Sequence, residues 1–182
     1  MTSFTQQDLR LAVKDLHDIA ETTQLAKDLI SGNIDPNIYR NLCYQLWLIT
    51  DAIERQLKNL DHRICRRHKF AQDLSECVGG KVRAMPATIE YVDYINSMFQ
   101  PCISGQLKGA VYCFYLGYLY GGQIIAKKLT LPTNHLQFVN VKECVDYIRQ
   151  QLLCYIDQQE LDEARIAFRY IIKIYQELYE LH

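Results

Sequence analysis

His17 has the surroundings that a metal-ligating side chain needs. Glu21 follows one helical turn later, and Lys14 and Arg10 precede it on the same side of the helix that this stretch forms. A histidine that holds a metal through one ring nitrogen usually donates its other N–H to a carboxylate, which fixes the tautomer and the ring orientation. Two neighbouring cations could meet the carboxylates of an anionic group bound there. The plain alternative is a solvated helix face, because histidine and glutamate four residues apart form an ordinary exposed pair. A second set, His62, Cys65, His68 and Cys77, lacks the spacing of a zinc finger or ribbon, and the arginines around it oppose a cation. It reads as a basic, solvated face. The chain has no Walker loop, strand-borne GxGxxG or nucleophile elbow, and its carboxylates are too dispersed to mark an acid–base pair.

The other chemically pointed stretch runs from Tyr112 to Lys128, where Gly117, Gly121 and Gly122 interrupt an apolar, aromatic helical pattern. Each glycine in a helix interior costs about 0.5–1 kcal/mol relative to alanine. Such a cluster fits a bend, a close helix–helix approach, or a flat group lying against the backbone. Together with a carboxylate-backed histidine on a different helix, it describes a slot for a flat metallated ring, as when one histidine holds a haem iron and the opposite face decides the chemistry.

Seven helical segments must position these residues. Thr5 to Ile30 carries a core stripe of Leu9, Ala12, Val13, Leu16, Ile19, Ala20 and Thr23; Thr5 with Asp8 resembles a capping arrangement, and Gly32 suits the stop. Asp35-Pro36 opens a second helix to about Leu60, with Tyr39, Leu42, Leu46, Ile49, Ile53 and Leu57 inward. A shorter, charged helix runs from about His62 to Val78, stopped by Gly79-Gly80. Pro86 opens a helix burying Ile89, Val92, Ile95 and Phe99 and closed by Pro101. The glycine helix spans about Ser104 to Leu129. Asn140 with Glu143, and Asp157 with Glu160, start the last two helices, about 141–156 and 158–181. No segment alternates over strand length and no repeat appears, so the expected fold is all-α.

The 182 residues suit a single domain, 1–182, with enough apolar content for a core. The net charge of −1 gives no footprint for nucleic acid or an anionic membrane. With no apolar run of spanning length and no signal-like N-terminus, a soluble cytoplasmic protein is expected. The seven cysteines are odd in number and form no CxxC pair, which argues for reduced thiols in the core. The thirteen tyrosines fit amphipathic packing or a pocket with hydroxyl-bearing walls.

At this point the sequence resembles the haem oxygenase family. Leu9-Arg-Leu-Ala-Val-Lys-Asp-Leu-His-Asp-Ile-Ala-Glu21 is similar to its proximal helix. Tyr115-Leu-Gly-Tyr-Leu-Tyr-Gly-Gly-Gln123 resembles the distal signature tyrosine-leucine-glycine-aspartate-leucine-serine-glycine-glycine-glutamine. Weaker similarity continues through His68 to Leu74, Pro86 to Ile95 and Ala164 to Leu178, so it covers nearly the whole chain in order. The resemblance implies a haem oxygenase-like helical bundle with a kinked distal helix. It puts His17 on iron with Glu21 orienting it, and Gly117 and Gly121 against the ring, with Gly122 shaping the bend. Arg10, Lys14, Tyr112 and Arg149 (or Lys142) would lie at the carboxylate edge, and Phe168 on the distal side. The implied reaction is O₂-dependent opening of haem, as both substrate and prosthetic group, to biliverdin, carbon monoxide and iron. Electrons would come from a ferredoxin or a flavin reductase.

The sequence departs from the family pattern at four places. Tyr118 replaces the distal aspartate, Tyr120 the signature serine, Phe114 a usual arginine and Ile171 an asparagine. A phenol donates a hydrogen bond but, with a pKa near 10, does not reproduce a carboxylate's charge. On this reading Tyr118 or Tyr120 takes over proton handling. Two competing readings stay open: a haem-binding carrier, sink or sensor without ring opening, and a protein that keeps the fold for non-haem work.

Overall fold

The computed structural model describes residues 4–57, 60–98 and 107–180. Capping chemistry sets the helix starts. In α1 (Gln6–Thr22) the Thr5 hydroxyl accepts from the Asp8 N–H at 3.4 Å while the Asp8 carboxylate accepts from the Thr5 N–H at 2.7 Å. Asp35 accepts from Asn37 and Ile38 at the head of α3 (Pro36–Gln56). Asn140, in the left-handed region with φ 55°, accepts from Glu143 at the head of α9 (Val141–Tyr147). Asp157 accepts from Gln159 at the head of α10 (Gln158–Glu180). Each such cap contributes about 1 kcal/mol.

Elsewhere side chains override the simple periodicity. The long first helix breaks at Thr23, whose hydroxyl donates to Ala20 O at 2.7 Å and accepts from Ala26 N at 3.3 Å, ending α1 and starting α2 (Gln24–Ser31). Leu9, Val13, Leu16 and Ala20 are buried as expected, but Ile19 is exposed. The charged helix starts late, as α4 (Arg67–Glu76), because the preceding chain wraps around Arg66. That buried guanidinium donates to the carbonyls of Arg63, Ile64, Cys65 and Gln137 and lies 4.0 Å over the Phe138 ring. In α5 (Pro86–Ser97) Tyr91 and Ile95 are buried, whereas Ile89 is turned outward. Phe99, Pro101 and Ser104 lie outside the described residues.

The glycine helix is not continuous. α6 (Lys108–Val111) passes into a π-helical turn, Tyr112–Leu116, then α7 (Gly117–Leu119), a break at Tyr120, and α8 (Gly121–Ala126). A π turn inserts an extra residue and redirects the axis. A second one, Ile148–Leu152, ends α9 early. Among the described residues there is no strand, only an isolated bridge between Phe4 and Ile156, and the fold is all-α. No described helix is long and apolar enough to cross a membrane.

α10 is the shared support, with α1, α2, α3, α5 and α6 packed on it. Gly109 makes the α6 crossing tight: a Cβ there would overlap the Ala164 nitrogen and lie 2.8 Å from Glu160 O. The buried Glu163 carboxyl group accepts from Gly109 N at 2.8 Å and Ala110 N at 3.2 Å, satisfying orphan donors at the head of the glycine helix. The helix carrying His17 and the helix carrying the glycines are thus registered on one element.

Candidate functional site

The outer side of α1 presents Arg10, Lys14, His17 and Glu21, all exposed. His17 Nδ1 lies 3.7 Å from Glu21 Oε1, beyond a hydrogen bond but within a small side-chain adjustment of one. Lys14 pairs with Asp18 at 2.6 Å. An exposed pair of this kind is weak and easily exchanged. His17, Asp18 and Glu21 bring one ligand atom each within 4.8 Å of one another. The His62, Cys65, His68 and Cys77 set does not converge in this way, and His62 is almost fully solvated.

Phe168, expected on the glycine side, has its ring centroid 5.7 Å from that of His17, so it walls the histidine's flank. It reaches there from α10, against which α1 packs.

The three glycines do different things. Gly122 is buried, and a Cβ on it would meet Leu136 Cδ2 at 2.7 Å. Gly117 and Gly121 are exposed, and among the described residues a Cβ at either would find no packing partner within 4 Å. They therefore do not serve helix–helix approach. Gly117, Tyr120, Gly121 and Ile124 follow i, i+3, i+4, i+7 spacing and form one open face, with Tyr120 48% and Ile124 60% exposed. Helical rotation separates the two candidate tyrosines. Tyr118 falls with Gly122 behind that face and is buried, while Tyr120 stands on it.

Tyr118 sits in an aromatic cluster, its ring centroid 5.7 Å from Phe70, 6.2 Å from His135, 6.1 Å from Tyr115 and 6.4 Å from Phe114. Its hydroxyl is 3.4 Å from Thr50 Oγ1. Burial pushes the phenol well above its ordinary value, against the Thr50 hydrogen bond. It is neutral at physiological pH.

At the other end of the face, Arg149 Nη2 donates to Tyr120 Oη at 2.9 Å. Burial raises the half-buried Tyr112 phenol, while Arg10 and Arg149 both act on it in the opposite sense. Arg149 thus contacts Tyr120 directly, and the charges of Arg10 and Arg149 both bear on Tyr112. Lys142, the other candidate for the basic position, is 90% exposed and faces Asp146 at 4.0 Å on its own helix. Of the two, Arg149 is the one that reaches the glycine helix, through Tyr120.

Sequence reasoning missed the clamp behind the glycine helix. Asp73 of α4 accepts from Asn134 N and Nδ2, each at 2.7 Å, and from His135 N at 2.9 Å. The next residue, Leu136, abuts Gly122 and gives its carbonyl to Gln123 Nε2 at 2.5 Å. Nothing local in the sequence announces a contact across this separation.

The described residues thus set an exposed histidine beside a carboxylate on one helix, a glycine-opened face bearing Tyr120 and Ile124 on another, and Arg149 hydrogen-bonded to Tyr120. The chain belongs to the heme oxygenase family, whose sequence profile matches residues 3–177. It is 28% identical over 203 residues to the heme oxygenase of Rhodella violacea, covering 93% of this chain and 85% of that one. It is 27% identical over 204 residues to rat heme oxygenase 2, covering 93% of this chain but only 64% of the relative. Among solved structures, heme oxygenase-1 of the cyanobacterium Synechocystis sp. PCC6803 in complex with heme superposes with a TM-score of 0.83 at 26% identity. That match covers 96% of this chain and 92% of the other. The heme oxygenase of Leptospira interrogans shares the fold, with a TM-score of 0.82 at 20% identity over 94% of this chain and 98% of that one.

Proposed function

We propose that this chain is a haem oxygenase, opening haem with O₂ and externally supplied electrons to biliverdin, carbon monoxide and iron. The observation that carries the reading is the open face at Gly117 and Gly121, where two costly helix-interior glycines have, among the described residues, no packing neighbour to explain them. The donor set fits the same group: a solvent-facing imidazole, two guanidiniums whose charges bear on Tyr112, and apolar surface.

His17 would hold the metal, with Glu21 orienting the ring through Nδ1. Arg10, Arg149 and Tyr112 would receive the carboxylates, and Lys14 would join them once released from Asp18. Gly117 and Gly121 admit the ring to the backbone, and Ile124 and Phe168 keep its surroundings apolar. When bound, haem supplies the redox iron at which O₂ is reduced and the ring carbon that is attacked. The chain's own part is to orient, to exclude water and to move protons. Tyr120 is the hydroxyl placed on the face for that last task, with Arg149 polarising its oxygen. Tyr118 is a positioning residue behind it. A ferredoxin or a flavin reductase is the proposed electron donor. The six described cysteines are free thiols, which fits a reducing compartment such as the cytoplasm.

The test is to supply electrons and O₂ to the haem-loaded protein and follow the appearance of bilin absorbance and carbon monoxide. Loss of haem absorbance with bilin formation supports the reading; haem that persists through reduction rejects it. One observation favours a second reading, a haem carrier, sink or sensor. The position of the family's distal acid is a neutral, buried phenol next to Thr50 and a cluster of aromatic rings that includes Phe114, and the other departing position, Ile171, is also apolar and buried. That reading gives a stoichiometric Soret band without turnover in the same experiment.

A further inference from the structure

The hydrogen bond between Tyr120 and Arg149 belongs to a longer bridge. Arg149 lies on the π turn after α9, and its carbonyl accepts from Gln6 Nε2 on the first turn of α1 at 3.4 Å. Its guanidinium reaches the glycine helix at Tyr120. One residue therefore ties the helix that carries His17 to the open glycine face, at the end where Arg10 follows Gln6 by one turn. α7 packs beside α9 there. The phenol of Tyr120 is drawn along this bridge. It stands as a wall on the face between Gly117 and Gly121 on one side and Arg149 on the other.

We propose that the ring of Tyr120 is a specificity-determining wall that fixes how an unsymmetrical dicarboxylate tetrapyrrole is rotated against the glycine face, and so which ring carbon faces the reactive side. This rests on the haem reading above. A flat ring on the glycine face must lie beside the phenol rather than over it. Arg149 has one hydrogen bond committed to Tyr120, so a carboxylate meets a guanidinium already aimed and partly used. A small side chain at 120 leaves the face open across its width, and in-plane rotation is then weakly set. Tyr120 is half exposed and touches no core residue through its hydroxyl, so truncating it leaves the fold intact.

The experiment compares wild type, Tyr120→Ser and Tyr120→Phe as ferric cyanide complexes. Proton NMR of the haem methyl groups reports in-plane orientation without turnover. Wild type should give one dominant methyl pattern. Tyr120→Ser should show a second pattern whose population reaches on the order of 10% or more. Tyr120→Phe keeps the wall and frees Arg149. It should keep the single pattern while binding haem about threefold to tenfold more tightly, relative to haem dimethyl ester, than wild type does. A normal Soret band in all three with an unchanged methyl pattern in Tyr120→Ser overturns this inference and leaves the haem reading standing. No Soret band in wild type overturns both.

Discussion

His135 Nδ1 lies 2.6 Å from Asp73 Oδ2, in the core behind the glycine helix and 62 residues along the chain. The imidazole stacks on Phe70 at 4.1 Å and stands edge-on to Tyr118. Burial holds His135 below its ordinary pKa. It would raise Asp73, but the hydrogen bonds from His135 and Asn134 outweigh it and hold that carboxyl low. The pair is a carboxylate accepting from a neutral ring. Removing the carboxylate leaves two backbone N–H groups and a ring N–H without their acceptor. Asp73→Ala should therefore cost about 3–5 kcal/mol. Urea denaturation checks this, and a double-mutant cycle with His135→Ala should show clear non-additivity.

Glu163 gives a pH dependence with a definite sign. Burial pushes its carboxyl from 4.5 up to about 8, against the two backbone hydrogen bonds from Gly109 and Ala110. The folded protein therefore holds a proton that the unfolded chain has released between those values. By linkage this group's contribution to stability is complete below about pH 4.5 and is lost as pH rises towards 8. In Glu163→Gln the fall in urea midpoint between pH 5 and pH 8 should be shallower than in wild type. Parallel profiles would show that Glu163 titrates normally.

The glycines separate packing from ligand space. Gly117→Ala should stabilise the ligand-free protein by about 0.5–1 kcal/mol, because the added methyl meets no packing neighbour among the described residues and the helix gains a better former. The same change should weaken haem binding. Gly109→Ala should do the reverse to stability, since its methyl collides with the α10 backbone. Thermal melts of the two ligand-free variants, moving in opposite directions, check both claims.

These contrasts also show how far the sequence could be read. The caps at Thr5, Asp35, Asn140 and Asp157 were legible because capping is local chemistry within three residues. The all-α class and the inward stripe of α1 followed from periodicity. Ile19 and Ile89 did not follow it, because an apolar residue at the margin of a stripe is buried only if a neighbouring element happens to cover it. The late start of α4 depended on Arg66 collecting four carbonyls, one of them from Gln137, a tertiary event no local pattern encodes. The site was half visible. His17 and the glycines stood out by type and spacing, whereas Arg149 was suggested only by the family resemblance; burial then assigns Tyr120 to the open face and Tyr118 to the core. The Asp73–His135 clamp was invisible because its partners meet only once α4 and the 134–136 turn are folded together.

Hemin titration of the ligand-free protein, followed at the Soret band, asks directly whether a haem lies between His17 and the Gly117–Gly121 face. Saturation is expected at one haem per chain in wild type, with loss of the histidine-ligated spectrum in His17→Ala, and no saturable band in Gly121→Leu although that variant melts as a folded protein. A wild-type titration without a defined Soret shift, or a His17→Ala spectrum that matches wild type, would contradict it.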